Sequence, residues 1–421
     1  MAGRMQVGSG SFSQGVVKRS QISDTPYVPY EKSLEGRVKI LHLIDSGGLY
    51  GAEKMLLSLV QEQVKQSLEP MILSAGEPDI DEKPIEAEAR NKGLPVKAWR
   101  MKPGLNLKDS WEILLWAREH GYKLLHSHGF KFNVLLGIFP MWLRRIPMVS
   151  TLHGYVHAPR FSKLWLYERL DHFAMRRMQG VVLVADSIKK EFPKSIASDR
   201  IRVIPNGLNI AELQESSSAS LDEPFTSFID AHEPVVLGVG RLSREKGFDR
   251  LIKAFSDLKQ KYPTSGLIIV GEGAFRRQFE ALTEQLDVKG DVLMPGYCDK
   301  VPSLLKCSTV LVMPSLTEGL PITLLEAMAL RVPVVASAVG EIPRVLGNGE
   351  GGLLLSDVEP TTISRAIEQF LTDKDFSSSK LLRGYGAVIR NYSSQAMADA
   401  YLAFYKRTLD TSLISNQPGS S

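Results

Sequence analysis

Cysteine is scarce in this chain: Cys298 and Cys307 are the two present among 421 residues. They fit no metal-ligand spacing, so a zinc module and a disulfide framework are excluded. Two structural thiols in a reducing, cytosolic setting are expected. Long hydrophobic runs are also missing; none approaches the roughly 20 residues needed to cross a bilayer. Residues 1–35, rich in Ser, Gly and Gln, hold no apolar stretch of the kind that makes a secretory signal. No full spaced-glycine dinucleotide fingerprint occurs, which argues against an NAD site. Nor does an acidic cluster suited to Mg²⁺ stand out.

What is present is the composition of a water-exposed globular protein, 43% hydrophobic and 23% charged. At 421 residues, two domains are the default. The net charge of +4 conceals an asymmetry. Residues 101–200 carry 16 Lys and Arg against 8 Asp and Glu, and the remainder is slightly acidic. A basic region attracts nucleic acid, anionic lipid or an anionic substrate, or is simply a solvated face.

Short apolar runs near 38–44, 71–74, 123–127, 147–152, 181–185 and 201–204 read as strands. They alternate with helical patterns such as Glu53 to Leu68 and Ser110 to Glu119. A second series begins at Pro234, with strands near 266–270, 291–294, 309–313 and 333–336 and helices at 247–261, 274–286 and 361–373. Such alternation implies an α/β protein with parallel sheets. The expected organisation is a disordered segment over 1–36, a Rossmann-like domain over 37–206 and a serine-bearing linker over 207–232. A second Rossmann-like domain follows over 233–392, then a helix over 393–410 packing back on the first domain, and a disordered tail over 411–421.

The densest chemical signal is Glu318-Gly-Leu-Pro-Ile-Thr-Leu-Leu-Glu326. It follows a strand and opens a helix, which is where open α/β sheets bind ligands. Backbone N–H groups from Gly319 through Leu320, Pro321 and Ile322 to Thr323 surround a helix start suited to phosphate, proline excepted because it has no N–H. The two carboxylates suit hydroxyls instead, and the combination points to a nucleotide sugar. Upstream, Gly240-Arg-Leu-Ser-Arg-Glu-Lys-Gly247 also joins a strand to a helix. Arg241 and Lys246 there supply two cations for a diphosphate leaving group; alone they would read equally well as surface charges. Gly271-Glu-Gly273 is a weaker signal that serves at least to turn the chain.

Taken in order and spacing over residues 37–410, these motifs resemble the retaining glycosyltransferases of family four, with the GT-B fold. That resemblance implies two Rossmann-like domains with parallel sheets facing a central cleft. It implies that Glu318 hydrogen-bonds donor-sugar hydroxyls and Glu326 the ribose hydroxyls. Arg241 and Lys246 would grip the diphosphate, backbone of the 320–323 stretch would reach phosphate, and the base would sit near Tyr297 to Lys300. A glycosidase-like nucleophile reading of Glu318 is the rival, but a glutamate beside a phosphate-binding helix start is better placed to orient a donor.

In the first half, Gly47 and Gly48 follow a strand and open a helix, so their backbone can approach the donor. His126 and His128 share one face of a strand, but no third ligand at suitable spacing makes a metal site of them. His128 is either acceptor-side or a locally satisfied histidine. By the resemblance, His153 lies beside the donor sugar and is the first-half catalytic residue. Aromatics interleaved with Lys and Arg over 130–177 suit either core packing or an anionic inner-membrane surface. The expected activity is retaining transfer of a sugar from a UDP-, GDP- or ADP-sugar to a sugar or lipid-linked acceptor hydroxyl. It needs no metal or other cofactor and no nucleic acid, and takes place in cell-surface polysaccharide or glycolipid assembly at the cytoplasmic side of the membrane. A GT-B epimerase and a non-catalytic sugar-nucleotide-binding protein are the alternatives.

Overall fold

The computed structural model describes residues 38–153, 163–186, 188–193 and 195–414. The segment expected to be disordered at 1–36 lies outside them, as do Gly154, Arg160 and Phe161. Among the described residues the strands form two parallel sheets. The first contains β1 (Lys39–Asp45), β2 (Glu69–Gly76), β3 (Val96–Arg100), β4 (Leu124–Ser127), β5 (Met148–Leu152), β6 (Gly180–Leu183) and β7 (Ile201–Val203), in the spatial order β3-β2-β1-β4-β5-β6-β7. The second contains β8 (Val235–Val239), β9 (Gly266–Val270), β10 (Val292–Gly296), β11 (Val310–Met313), β12 (Val334–Ser337) and β13 (Leu353–Leu355), in the order β10-β9-β8-β11-β12-β13. Strand order therefore reverses twice, between β1 and β4 and between β8 and β11. A crevice opens beyond the strand ends at such a switch point, and ligands bind there.

The strands buried on both faces read as nearly unbroken aliphatic runs, as in Val235–Val239 and Gly266–Val270. One face of the first sheet departs from this. Along β1 it shows Ile40 then His42, along β4 Leu124 then His126, followed by His128, and along β5 Val149 then Thr151, followed by His153. Side chains two apart share a face, and His42 is in register with His126. The covering surface thus turns from apolar to polar toward the strand ends.

That face is covered by the helix Gly51–Lys65 and by the C-terminal helix Ser394–Ile414. Met397, Ala398, Tyr401, Phe404 and Tyr405 join Ile40, Leu59, Leu124, Val149 and Val182 in one buried cluster. The helix continues to Ile414, taking in the first four residues of the expected tail; the rest of that tail lies outside the described residues. The chain crosses between the sheets at two adjacent places. Leu208 N–H donates to the Tyr392 carbonyl at 2.7 Å and Ser394 N–H to the Leu208 carbonyl at 2.9 Å. Gly207 sits where any β-carbon would collide with Ser393 and Ser394.

Residues 207–232 are not bare linker. They carry the short helices Ile210–Ser216 and Phe225–Ala231, and Leu213 enters the core of the second sheet. The basic, aromatic stretch folds into helices Phe130–Gly137, Met141–Arg144 and Lys163–Met175. It divides between core and surface: Phe132, Leu135 and Leu136 are buried, whereas Phe130, Trp142, Leu166 and Phe173 are exposed. Arg144 is no surface cation. It is fully buried and donates to the carbonyls of Ile146 at 2.8 Å and Phe139 at 3.1 Å and to Gln179 Oε1 at 2.8 Å.

Candidate active site

The second sheet's switch point is built by two loops that hold each other. Leu316 N–H donates to the Glu245 carbonyl at 2.7 Å, tying the turn after β11 to the Arg241–Gly247 loop after β8. Leu242 N–H donates to the Glu272 carbonyl at 2.9 Å, so Gly271–Gly273 braces the same loop. From the other side, Ser337 Oγ donates to the Ser315 carbonyl at 2.6 Å and Glu341 N–H to the Gly319 carbonyl at 3.2 Å. Gly340, at φ +57°, packs so tightly on the Glu318 carbonyl that a β-carbon there would collide with it. Backbone contacts thus set the position of Glu318 before any ligand arrives.

Into this frame Glu318 places its carboxylate. Oε1 accepts from Lys246 Nζ at 2.6 Å and from Ser315 Oγ at 2.7 Å. Arg241, on the same loop as Lys246, is exposed. The helix Ile322–Ala329 starts after Pro321 and carries Glu326 on its second turn. Burial raises the Glu326 pKa above that of an ordinary glutamate, and no side-chain hydrogen bond or ion pair engages it among the described residues. Tyr297, after β10, is 81% exposed. Lys300 is already committed to Asp222 and to the Ser220 carbonyl.

In the first sheet, the Gly48 N–H is taken by Ser46 Oγ at 3.2 Å, which also donates to the Gly48 carbonyl. A serine turn thus closes locally on Gly48, one of the two glycines expected to approach the donor. His153 is nearly enclosed, with neither ring nitrogen partnered. Burial takes its pKa down to about 4, against the opposing charge of Glu53.

The sequence offered no third imidazole for His126 and His128, but strand order provides one. His42, His126 and His128 converge with ring nitrogens within 4.8 Å of one another. Their hydrogen bonds form a directional chain. Gln63 Oε1 can only accept, so His42 Nε2 donates to it at 2.8 Å. His42 Nδ1 then accepts from His128 Nε2 at 3.0 Å. Gln63 Nε2 donates to the Tyr405 hydroxyl at 3.4 Å, which in turn donates to His126 Nδ1 at 2.7 Å. His126 Nε2 bonds Thr151 Oγ1 at 2.8 Å, and Thr151 reaches the Tyr401 hydroxyl at 2.9 Å. Burial keeps all three imidazoles neutral, with His42 lowered to about 4 and His126 and His128 well below their ordinary value. His128 is therefore a buried member of this network, and Gly129 beside it lines a cavity after β4.

One ion pair joins the strand ends of the two sheets. Arg344 Nη1 lies 2.9 Å from Asp186 Oδ2, just beyond β6, while its Nε meets Glu341 at 2.7 Å.

Two family profiles match in tandem: the one described as Glycosyltransferase Family 4 over residues 50–212 and the one described as Glycosyl transferases group 1 over 221–395. The chain belongs to this glycosyltransferase family. The enzyme is 32% identical over 250 residues to the lipopolysaccharide core biosynthesis glycosyltransferase LpsE of Rhizobium meliloti, an alignment covering 59% of this chain and 70% of that one. It is 25% identical over 378 residues to an Escherichia coli UDP-Gal:alpha-D-GlcNAc-diphosphoundecaprenol alpha-1,3-galactosyltransferase, covering 85% and 96%. Its fold matches the crystal structure of Anabaena Alr3699/HepE in complex with UDP at a TM-score of 0.66 and 20% identity, over 88% of this chain and 100% of that one. The glycosyltransferase thus has the GT-B architecture. Neither Lys246–Glu318 pairing nor the histidine chain was visible in the motifs. The second had a signal in the polar residues ending three apolar strands.

Proposed function

We propose that the enzyme transfers a sugar from a nucleoside-diphosphate sugar to an acceptor hydroxyl with retention of anomeric configuration. Glu326 carries the reading. A desolvated carboxylate without a partner costs stability, and ribose hydroxyls would satisfy it. Lys246 and the exposed Arg241 stand on the neighbouring loop, where a diphosphate needs cations. The bond between the anomeric carbon and the diphosphate oxygen breaks, and the diphosphate leaves with the electron pair, its charge stabilised by Arg241 and Lys246. The acceptor oxygen bonds to the anomeric carbon and its proton passes to a diphosphate oxygen on the same face. Glu318 orients the sugar hydroxyls, His153 lines the sugar from the first domain, and Tyr297 stacks on the base. No side chain need act as a base, and no metal is required.

The names of the Rhizobium and E. coli relatives support a place in cell-surface glycan assembly. The exposed Phe130, Trp142, Leu166 and Phe173, with Arg176 and Arg177, support contact with an anionic membrane face. No described helix is long and apolar enough to cross a membrane. A thermal-shift screen of UDP-, GDP- and ADP-sugars tests the donor class; a ligand at 100 times its dissociation constant adds about 2.7 kcal/mol. An inverted product anomer by NMR would sink the retaining mechanism. Absence of binding to anionic liposomes at low salt would sink the membrane contact.

A further inference from the structure

The first sheet's switch point holds a cavity of about 320 Å³ that the donor chemistry does not use. Its floor comes from the ends of β1 and β4, at Asp45 and Gly129, contiguous with the Ser46–Gly48 turn and with His128. The volume is at the small end of ligand sites, about 300–1,000 Å³. It takes one ring or a short chain rather than a whole lipid.

Its walls are mostly apolar. Phe132 and Leu135 are buried behind it, Tyr167 closes one side, and Leu105 and Phe130 stand at the mouth, 51% and 58% exposed. Exposed apolar residues grouped at the mouth of a cavity mark a binding surface. The charged residues lining it are Asp45, Glu77 and Lys131. Asp45 accepts from Lys83 Nζ and Lys131 Nζ, each at 2.6 Å, and these lysines hold its carboxyl below the ordinary aspartate range against the effect of burial. Lys131 is therefore already engaged, and Glu77 adds a further negative charge at the rim. Each Asp45 oxygen takes one lysine and keeps a lone pair for a hydroxyl, while Leu105 and Phe130 offer hydrocarbon. The cavity has no cation set aside for a phosphate.

We infer that this cavity is the acceptor site and that it selects a polyhydroxylated ring carrying an apolar substituent, uncharged where it sits. The assignment rests on the transferase reading above, because a donor bound between Glu318 and Glu326 needs a hydroxyl delivered from the opposite strand ends.

The test uses the full chain and defined probes: n-octyl glucoside and n-octyl galactoside below their micellar concentrations, their methyl counterparts, and n-octyl phosphate. Affinity is read by saturation-transfer NMR and calorimetry, with UDP affinity measured in parallel. At least one octyl glycoside should bind about tenfold or more tighter than its methyl counterpart, as burial of two or more methylenes requires. Octyl phosphate should bind no tighter than that glycoside. Leu105→Asp and Phe130→Asp, both at exposed positions, should abolish the alkyl advantage and leave UDP affinity unchanged. Equal binding of methyl and octyl glycosides, no binding of either octyl glycoside, tighter binding of the phosphate, or indifference to both substitutions would each overturn the assignment. Failure of the unaltered enzyme to bind any of UDP, GDP and ADP would instead count against the transferase reading itself.

Discussion

Lys246 Nζ lies 2.6 Å from Glu318 Oε1, so the cation proposed for the diphosphate and the carboxylate proposed for the sugar already hold each other in the unliganded enzyme. The pair is mostly shielded from solvent, with the Glu318 side chain 9% exposed. Each group holds the other in place, so neither must be reoriented from bulk water when the donor enters.

The two members should nonetheless fail differently. Lys246→Ala removes a charge that acts on the leaving group, and should cut kcat/KM by about 10²–10³-fold while weakening UDP binding. Glu318→Gln keeps the shape and should lower kcat, leaving UDP affinity within about threefold, because the nucleotide lacks the hydroxyls Glu318 contacts. Steady-state kinetics and calorimetry separate the two. Equal loss of UDP affinity in both variants would contradict this division.

Glu326 gives a pH signature. Burial raises its pKa, whereas hydrogen bonds from ribose hydroxyls favour the ionised form. UDP affinity should therefore fall as pH is lowered toward the range where this carboxyl protonates, which lies above that of an ordinary glutamate. Glu326→Gln should bind UDP roughly 10–100-fold more weakly at neutral pH, from lost charge-assisted bonds, with a flatter profile between pH 5.5 and 7.5. The same variant should melt slightly higher without ligand, since the fold disfavours the charge that glutamine lacks.

The histidine chain gives an opposite kind of acid sensitivity, on stability rather than binding. Burial lowers the His42 pKa from 6.5 to about 4. The unfolded chain therefore binds protons first as pH falls. Stability from this group is intact above about pH 6.5 and declines between there and about 4, by something of order 3 kcal/mol. Tyr405→Phe removes the hydroxyl between Gln63 and His126 and should cost about 1–2 kcal/mol. Chemical denaturation at pH 7.5 and 5.5 measures both effects; a stability independent of pH across that interval would contradict the neutral, buried assignment.

Arg144 provides a purely structural control. Its guanidinium satisfies two carbonyls and Gln179 in the core. Arg144→Met should strip the Ile146 and Phe139 carbonyls of this donor, Gln179 Oε1 keeping the Met148 N–H, and destabilise the enzyme by roughly 3–5 kcal/mol, seen as a lower urea midpoint. Arg176→Met, on the surface, should shift it by less than about 0.5 kcal/mol.

What was legible in the sequence followed from local physics. Strands buried on both faces announce themselves as aliphatic runs, and the loops after β8 and β11 carry charges and glycines in a readable order. β3 escaped because Val96–Arg100 has an edge strand's mixed composition, and β13 because three leucines follow a glycine-rich turn. The helix Lys374–Tyr392 lacked a clean apolar stripe. In the candidate site, Glu326 and Arg241 stand out by motif spacing alone. The Lys246–Glu318 contact does not, since it spans 72 residues. The union of His42 with His126 and His128 depends on β1 lying beside β4, a fact of sheet order that no local pattern encodes. The cavity proposed for the acceptor was hidden for the same reason: Leu105, Phe130 and Tyr167 come from three separate segments.

The C-terminal helix makes the last stretch of the described chain the property of its first domain, through Tyr401 and Tyr405. The second-sheet unit is therefore not a half that can be spliced on. A foreign second unit joined at Gly207 alone would arrive with a helix shaped for another protein's histidines. Because Gly207 and Ser393 touch, the two ends of that unit meet at one point in space. Paired seams there would exchange it as a cassette, leaving the first domain and its own terminal helix together.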